Sequence, residues 1–462
     1  EMFLIYLLGI VLFFSFIANF AFRKIFKSLS WVDKPDGVKK LHKNDIPLSG
    51  GVSFIASLIF AVLIFDFFAG VNFNLSWNGF FVSDSNKEDN FSHISSGNKI
   101  DLIGNDSFDI QIVNINKNSQ VVVVINKKTF ETELMKIYKD ESGSFQIKGD
   151  GYEANSNYFQ ETLLPPKVTV NINGNKSTYY QKINVDVPPF FIWMLLTGIF
   201  LAFVTLYDDL WGLSVSTRFL SQAIACLVLI TQSGLYIDDL GNLIGLGSIE
   251  LNPAFGVLFT IFCVIGIINA FNWIDGFNGG LTSQFLVGIT APLILLSVND
   301  SLFIEQIYLF LVICFLPYAL MNLKVMGKRF VIFMGDHGSM FCGYIVAWCL
   351  IFFAMERADY MNPITAVWIV GFVLFNAIST IIIRLVNKRS PLVSDRSHIH
   401  HALDRLGLKG LRVSFVVLII SSMLALTGVF LEIIGISELV SMLLLIFVSV
   451  VFLRYRFNLE NS

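Results

Sequence analysis

Apolar runs of about 18 to 22 residues recur along this chain with few charges inside them, and their recurrence constrains the fold more than any other feature. About 20 residues at ~1.5 Å rise cross a ~30 Å hydrocarbon core, so each run is a candidate membrane helix. Eleven such runs lie near residues 2–22, 50–71, 189–207, 218–235, 254–271, 280–297, 302–321, 338–355, 363–384, 413–431 and 436–454. Composition agrees: 55% of residues are hydrophobic, only 15% are charged and the mean hydropathy is +0.68. A soluble domain is roughly 45–50% apolar. The expected fold class is a polytopic all-α membrane protein of about eleven transmembrane helices.

Lys and Arg concentrate in the short loops on the cytoplasmic side of a membrane protein. Alternating from the first loop, one side receives Arg23, Lys24, Lys27, Lys34, Lys39, Lys40 and Lys43, then Arg218, then Lys324, Lys328 and Arg329. The same side continues with the basic residues between Arg384 and Arg412 and ends with Arg454 and Arg456, whereas the opposite short loops hold only Arg357. The expected orientation puts the N-terminus outside and the C-terminus in the cytoplasm. The first run lacks a basic flank before it and is too long for a secretory leader, so it reads as a retained span. A start at Glu1 and not methionine points to a fragment or a processed chain. All five cysteines lie in apolar runs and read as small buried hydrophobes.

One outer loop is far longer than the others. Residues 72–188 are polar, Asn- and Lys-rich, and carry alternating or β-branched runs at Phe108–Ile115, Gln120–Ile125, Ser144–Lys148 and Lys167–Ile172. The Asn173-Gly174-Asn175 and Gly149-Asp150-Gly151 steps have hairpin chemistry. The expected organisation is membrane core over 1–71, a small all-β extracytoplasmic insertion over 72–188, and membrane core over 189–462. The insertion carries no catalytic constellation and reads as an interaction or stabilising domain.

With this topology the unusual polar clusters share the cytoplasmic side. Asn269 to Leu281 reads Asn-Ala-Phe-Asn-Trp-Ile-Asp-Gly-Phe-Asn-Gly-Gly-Leu between two spans. Unpaired polar groups in hydrocarbon each cost several kcal/mol, so these residues face water, a cavity or a ligand; a plain polar hairpin is the simpler alternative. Asp208-Asp209 ends the third span, followed by Arg218, and adjacent carboxylates there can hold a cation, orient a phosphate through it, or act as a base. Asp238-Asp239, on the outer side, is such a pair without basic or histidine neighbours. Gly335-Asp336-His337-Gly338-Ser339 leads into the eighth span, where Asp336 and the N–H groups of a helix start suit magnesium and phosphate, or Asp336 or Ser339 is simply a cap. His398, His400 and His401, flanked by Arg396 and Arg405, lack zinc-site spacing and form a better anion receptor. Lys39, Lys40 and His42 precede a Gly50-Gly51 pair at the second span; juxtamembrane lysines also simply greet anionic lipid. Together the clusters point to phosphoryl transfer at the membrane surface.

In five ordered motifs the chain resembles the polyprenyl-phosphate N-acetylhexosamine-1-phosphate transferase family, more closely its GlcNAc-type branch. The motifs are Lys39-Lys40-x-His42 to Gly50-Gly51, Asp208-Asp209, Asn269-x-x-Asn272-x-x-Asp275-Gly276, Gly335-Asp336-x-Gly338-Ser339, and His398-Ile399-His400-His401. The resemblance covers the membrane part from about Asp33 to Leu411. It implies attack of undecaprenyl phosphate on the β-phosphorus of a UDP-N-acetylhexosamine, with release of UMP and a requirement for Mg²⁺, or Mn²⁺ in its place. It implies catalytic roles for Asp208, Asp209 and Asp275, and metal binding by Asp336 and Asn272. It further implies substrate contacts from Lys39, Lys40, His42, Arg218, Asn269, Asn272, Asn278, Arg396, His398, His400 and His401. Where many members read Asp-Gly-x-Asp-Gly, this chain has Asn278 in place of the second aspartate. The implied role is the first membrane step of a cell-envelope glycan. Expected partners are undecaprenyl phosphate, the UDP-sugar and membrane lipid, not nucleic acid; a homodimer and an envelope partner for the insertion stay open. An ion-coupled transporter would place its polar groups near the midplane, and a receptor built on the outer domain would leave the cytoplasmic clusters unused.

Overall fold

The computed structural model describes residues 2–33, 45–69, 189–299, 302–355, 361–388, 390, 408 and 410–461, together with the backbone of strands between 100 and 183. Twelve helices carry the membrane part among these residues: α1 (Met2–Ser28), α2 (Gly50–Ala69), α3 (Pro189–Trp211), α4 (Val215–Ser233), α5 (Pro253–Ile274), α6 (Gly280–Asn299), α7 (Leu302–Asn322), α8 (Gly335–Met355), α9 (Pro363–Ile369), α10 (Gly371–Val386), α11 (Leu411–Ile433) and α12 (Glu438–Asn461). Seven of them, α1, α3, α4, α5, α8, α11 and α12, are long and apolar enough to cross a membrane. Shorter apolar helices cover Gly50–Phe65, Gly280–Leu295 and Ile307–Asn322. The protein is a polytopic α-helical membrane protein.

Local chemistry sets the helix ends. Ser214 caps α4 by accepting the Thr217 N–H at 3.1 Å, and Gly234 closes it in the left-handed region at φ 72°. Asn252 caps α5 with Pro253 at its first position. Inside the helices, where no water is at hand, hydroxyls return to carbonyls four residues back: Ser53 to Ser49, Thr205 to Leu201, Thr260 to Gly256 and Ser421 to Val417.

The bundle is built around α8, 94% of whose apolar window is buried. Phe54 of α2 sits edge-on to Phe285 of α6, Phe315 of α7 and Phe341 of α8, with ring centroids 5.3 to 5.8 Å apart. On the α5 side Gly343 permits close approach, since a Cβ there would lie 2.9 Å from the Phe271 Cβ. Thr197 of α3 shares a 2.6 Å hydrogen bond with Tyr344.

One expectation changes. The run at 363–384 reads as a single span, but the structure bends it by 73° between α9 and α10. No proline lies at the break; Val370 leaves helical geometry at φ −93°, ψ 10°, immediately before Gly371. The buried Arg384 in the last turn of α10 then lies over the Trp273 ring at 5.4 Å.

At the end of the bundle where α8 begins, β1 (Val32–Asp33) pairs antiparallel with β2 (Ile46–Pro47), joining the two ends of the first loop. The chain just before α8 runs alongside the start of α2: Phe333 N–H donates to Pro47, Gly50 N–H to Phe333 and Gly51 N–H to Met334, at 2.9 to 3.1 Å.

A separate unit holds eight strands, β3 (Ile100–Asn105), β4 (Phe108–Asn116), β5 (Ser119–Asn126), β6 (Thr132–Lys139), β7 (Phe145–Gly149), β8 (Tyr152–Ser156), β9 (Lys167–Ile172) and β10 (Asn175–Ile183). Each pairs antiparallel with its sequence neighbour, and β10 returns to β3, with Lys182 opposite Asp101, to close a barrel. Closure leaves no strand edge unpaired. The glycine steps at 150–151 and 173–174 lie outside the described residues, although Gly149 pairs with Tyr152 and Ile172 with Asn175 across them.

Candidate active site

Three helices, α3, α5 and α8, supply the carboxylates, and α4 supplies Arg218. Asp208 and Asp209 lie in the last turn of α3, which continues to Trp211. They are adjacent in sequence but have different partners. Asp208 accepts the Leu213 N–H through one oxygen and pairs with Arg218 Nε of α4 at 3.4 Å through the other, which holds the α3–α4 turn. Asp209 crosses to α8. Its Oδ1 accepts the Asp336 N–H at 3.3 Å, and its Oδ2 accepts the His337 N–H at 3.2 Å and bonds His337 Nδ1 at 2.6 Å.

Two N–H groups at the start of α8, those of Asp336 and His337, are therefore occupied by a carboxylate of the protein. An anion at a helix N-terminus answers both its open donors and its dipole. Neither Asp336 nor Ser339 caps the helix; the cap comes from α3. Gly335, at φ 77°, gives the turn into the helix the left-handed geometry this approach needs.

Asp336 itself stands in the first turn of α8, within electrostatic reach of Asp209, Asp208 and Arg218 and beside Asn272. The Asn272 amide donates to Ser339 Oγ at 3.0 Å, which ties the end of α5 to the start of α8. Asp275 follows directly as the C-cap of α5. Its side chain keeps a part-exposed edge, yet it is packed densely enough that burial, followed by the charges of Asp336, Asp209 and Asp33, pushes its carboxyl well above the usual carboxylate range.

Two amides of the same motif serve the scaffold. Asn269 lies one turn deeper, and its N–H groups go to Gln222 Oε1 at 2.9 Å and to the Ile265 carbonyl at 2.8 Å. Asn278 donates to the Asn322 carbonyl at 2.8 Å, and its own carbonyl receives Ser414 Oγ of α11. Lys39, Lys40, His42, Arg396, His398, His400 and His401 lie outside the described residues.

Three participants went unassigned in the sequence. His337 stood inside a quoted motif. Gln222 lies one turn beyond Arg218 in an otherwise apolar run, the kind of intramembrane polar residue that has a reason. Asn322 ends α7, accepts the Gly279 N–H at 2.7 Å and donates to the Ile332 carbonyl at 3.1 Å, so it joins the α5–α6 turn to the segment before α8.

Among the described residues no three His, Cys, Asp or Glu side chains converge as a ready-made metal cage. Magnesium does not require one, because it keeps several waters and is held by one or two carboxylates plus substrate phosphates. Asp336 lies within electrostatic reach of Asp209, Asp208 and Arg218, and Asp275 within reach of Asp336 and Asp209. Hard carboxylate oxygens of this kind fit Mg²⁺ or Mn²⁺.

Residues 191–354 match the sequence model of a family described as Glycosyl transferase family 4. The chain is 32% identical over 267 residues to the undecaprenyl-phosphate alpha-N-acetylglucosaminyl 1-phosphate transferase of Yersinia pestis, covering 58% of this chain and 73% of that one. It is 30% identical over 270 residues to the protein of the same name from Escherichia coli K12, again covering 58% and 73%. The match includes the helices that carry the four aspartates, Asn272 and Arg218. The chain therefore belongs to the polyprenyl-phosphate N-acetylhexosamine-1-phosphate transferase family.

Proposed function

We propose that this protein is an integral membrane phosphosugar transferase that moves an N-acetylhexosamine 1-phosphate, GlcNAc-1-phosphate first among them, from a UDP-sugar to undecaprenyl phosphate. The observation that carries the reading is the bonding of Asp209 to the start of α8 beside Asp336, next to the Asp208–Arg218 pair and with Asp275 within electrostatic reach of Asp336 and Asp209, in a chain whose relatives bear that activity in their names.

In the reaction an oxygen of the lipid phosphate attacks the β-phosphorus of the UDP-sugar. The bond from that phosphorus to the bridging oxygen breaks, and UMP leaves with the electron pair. Such transfers depend on positioning and on neutralising phosphate charge more than on covalent help from the protein. Asp208 and Asp209 orient the lipid phosphate and take its proton where it carries one, while Arg218, beside Asp208, supplies positive charge. Asp336 and Asn272 would hold a Mg²⁺ ion, which when bound neutralises the diphosphate and withdraws charge toward the leaving UMP. Asp275 stands at the metal edge. Lys39, Lys40, His42, Arg396, His398, His400 and His401 remain assigned to the substrate phosphates and sugar by the family resemblance.

The topology we favour has eleven spans: the seven long helices, the α9–α10 pair as one broken span, and the three shorter apolar helices. The positive-inside distribution supports a cytoplasmic site, an external N-terminus and an external inserted domain. A homodimer fits the same reading, as does a place at the first membrane step of a cell-envelope glycan.

The test is direct. Purified protein with Mg²⁺, undecaprenyl phosphate and UDP-GlcNAc should form UMP and a lipid-linked sugar in equal amounts. No UMP from any UDP-N-acetylhexosamine would overturn the assignment.

A further inference from the structure

We propose that His337 is the positioning residue that fixes the Asp209 carboxylate, and that Gly51 fixes His337. This rests on the transferase reading above and adds to it, because the family motif leaves position 337 unassigned.

His337 is 1% exposed. Its Nδ1 bonds Asp209 Oδ2 at 2.6 Å, the same oxygen that accepts the His337 backbone N–H. The side chain and main chain of one residue thus grip one carboxylate oxygen, while the Asp336 N–H holds the other. Among the described residues, Nε2 on the opposite edge of the ring is buried without a hydrogen-bond partner. A proton on Nε2 would be a buried donor without an acceptor, so the surroundings assign the proton to Nδ1, where it points at the carboxylate.

Gly51 lies behind that edge. A Cβ at Gly51 would fall 2.5 Å from His337 Cδ2, 2.7 Å from Nε2 and 2.5 Å from the Gly338 Cα. No side chain fits between α2 and the imidazole. The ring is therefore held from behind by the start of α2, hydrogen-bonded in front to α3, and carried by α8. Because Nε2 faces Gly51, the ring acts on the chemistry through Asp209 and does not itself reach substrate. The geometry also explains why the Gly50-Gly51 pair belongs with the aspartates.

The experiment compares His337→Phe, which keeps a ring of similar size without the N–H, with His337→Asn, which keeps an N–H near the position of Nδ1. Both are measured in the full-length protein for kcat and KM in UMP release and for thermal unfolding in detergent. Since misplacement of a catalytic group by ~1 Å can cost up to ~100-fold in rate, His337→Phe should lower kcat about tenfold or more. KM for UDP-GlcNAc should stay unchanged, and His337→Asn should recover most of the loss. An undiminished kcat in His337→Phe, or equal losses in both variants, would overturn the proposal. So would equal loss of thermal stability in both, which would make the histidine a packing residue only. Absence of UMP release by the wild-type protein would instead overturn the function on which the proposal rests.

Discussion

Asp209, near the end of α3, accepts the backbone N–H of Asp336 at the start of α8, across 127 residues of sequence. The two carboxylates expected to face lipid phosphate and metal are thus mechanically joined: one is the cap of the helix that carries the other. Removing the Asp209 carboxylate should therefore weaken the fold as well as the chemistry. Loss of a cap costs about 0.5–2 kcal/mol, and Asp209→Ala should lower the thermal unfolding temperature in detergent by a measurable margin even without substrate. An Asp209→Ala protein as stable as wild type would show that this contact is not holding α8.

The Asp275 carboxyl is pushed well above the usual range by burial and by Asp336, Asp209 and Asp33. Its pKa in the folded protein exceeds the unfolded value of about 3.9, so between the two the folded state binds more protons than the unfolded one. Its contribution to stability then falls as pH rises through that window. Metal-free protein should lose thermal stability with rising pH there, and added Mg²⁺ should restore more of it at the high end than at the low end. Unfolding scans across pH with and without Mg²⁺ read this out; a Mg²⁺ effect independent of pH would contradict it.

Asn278, where many relatives have aspartate, uses its amide N–H to reach the Asn322 carbonyl. A carboxylate there cannot donate and would face a carbonyl oxygen instead. Asn278→Asp should destabilise the protein by about 1–3 kcal/mol and should not raise turnover. A gain in activity with unchanged stability would return this position to the substrate side of the site.

Asn322 holds two backbone groups with its amide, Gly279 N–H and Ile332 C=O, and is buried. Asn322→Ala leaves both unsatisfied, at about 1–3 kcal/mol apiece. Unfolding measurements should show a larger loss than for Asn278→Asp, accompanied by lower turnover, because the α5–α6 turn carrying Asp275 loses its anchor to the segment before α8.

These contrasts define what could be read before folding. Apolar runs mark membrane helices, and a polar residue in such surroundings is costly enough to need a reason, so Asp208, Asp209, Asn272, Asp275 and Asp336 stand out from sequence alone. Their partners do not. The Asp209 bond to α8 and the Asn322 bonds to the α5–α6 turn join segments distant in sequence, and no periodicity encodes them. Asn269 and Asn278 share a motif with Asn272, but only the folded chain shows their donors turned to Gln222, Ile265 and Asn322. The break at Val370 is hidden because the residues around it, Ala366 to Phe375, are all apolar and include no proline.

The most direct test of the account is UMP release from UDP-GlcNAc and undecaprenyl phosphate as a function of Mg²⁺, for the wild-type protein and for Asp336→Ala. The account predicts Mg²⁺-dependent release by the wild type and a loss of at least about 100-fold in the variant, the order expected when a charge-stabilising group is removed from a transfer site. Wild-type turnover that Asp336→Ala leaves intact would contradict it.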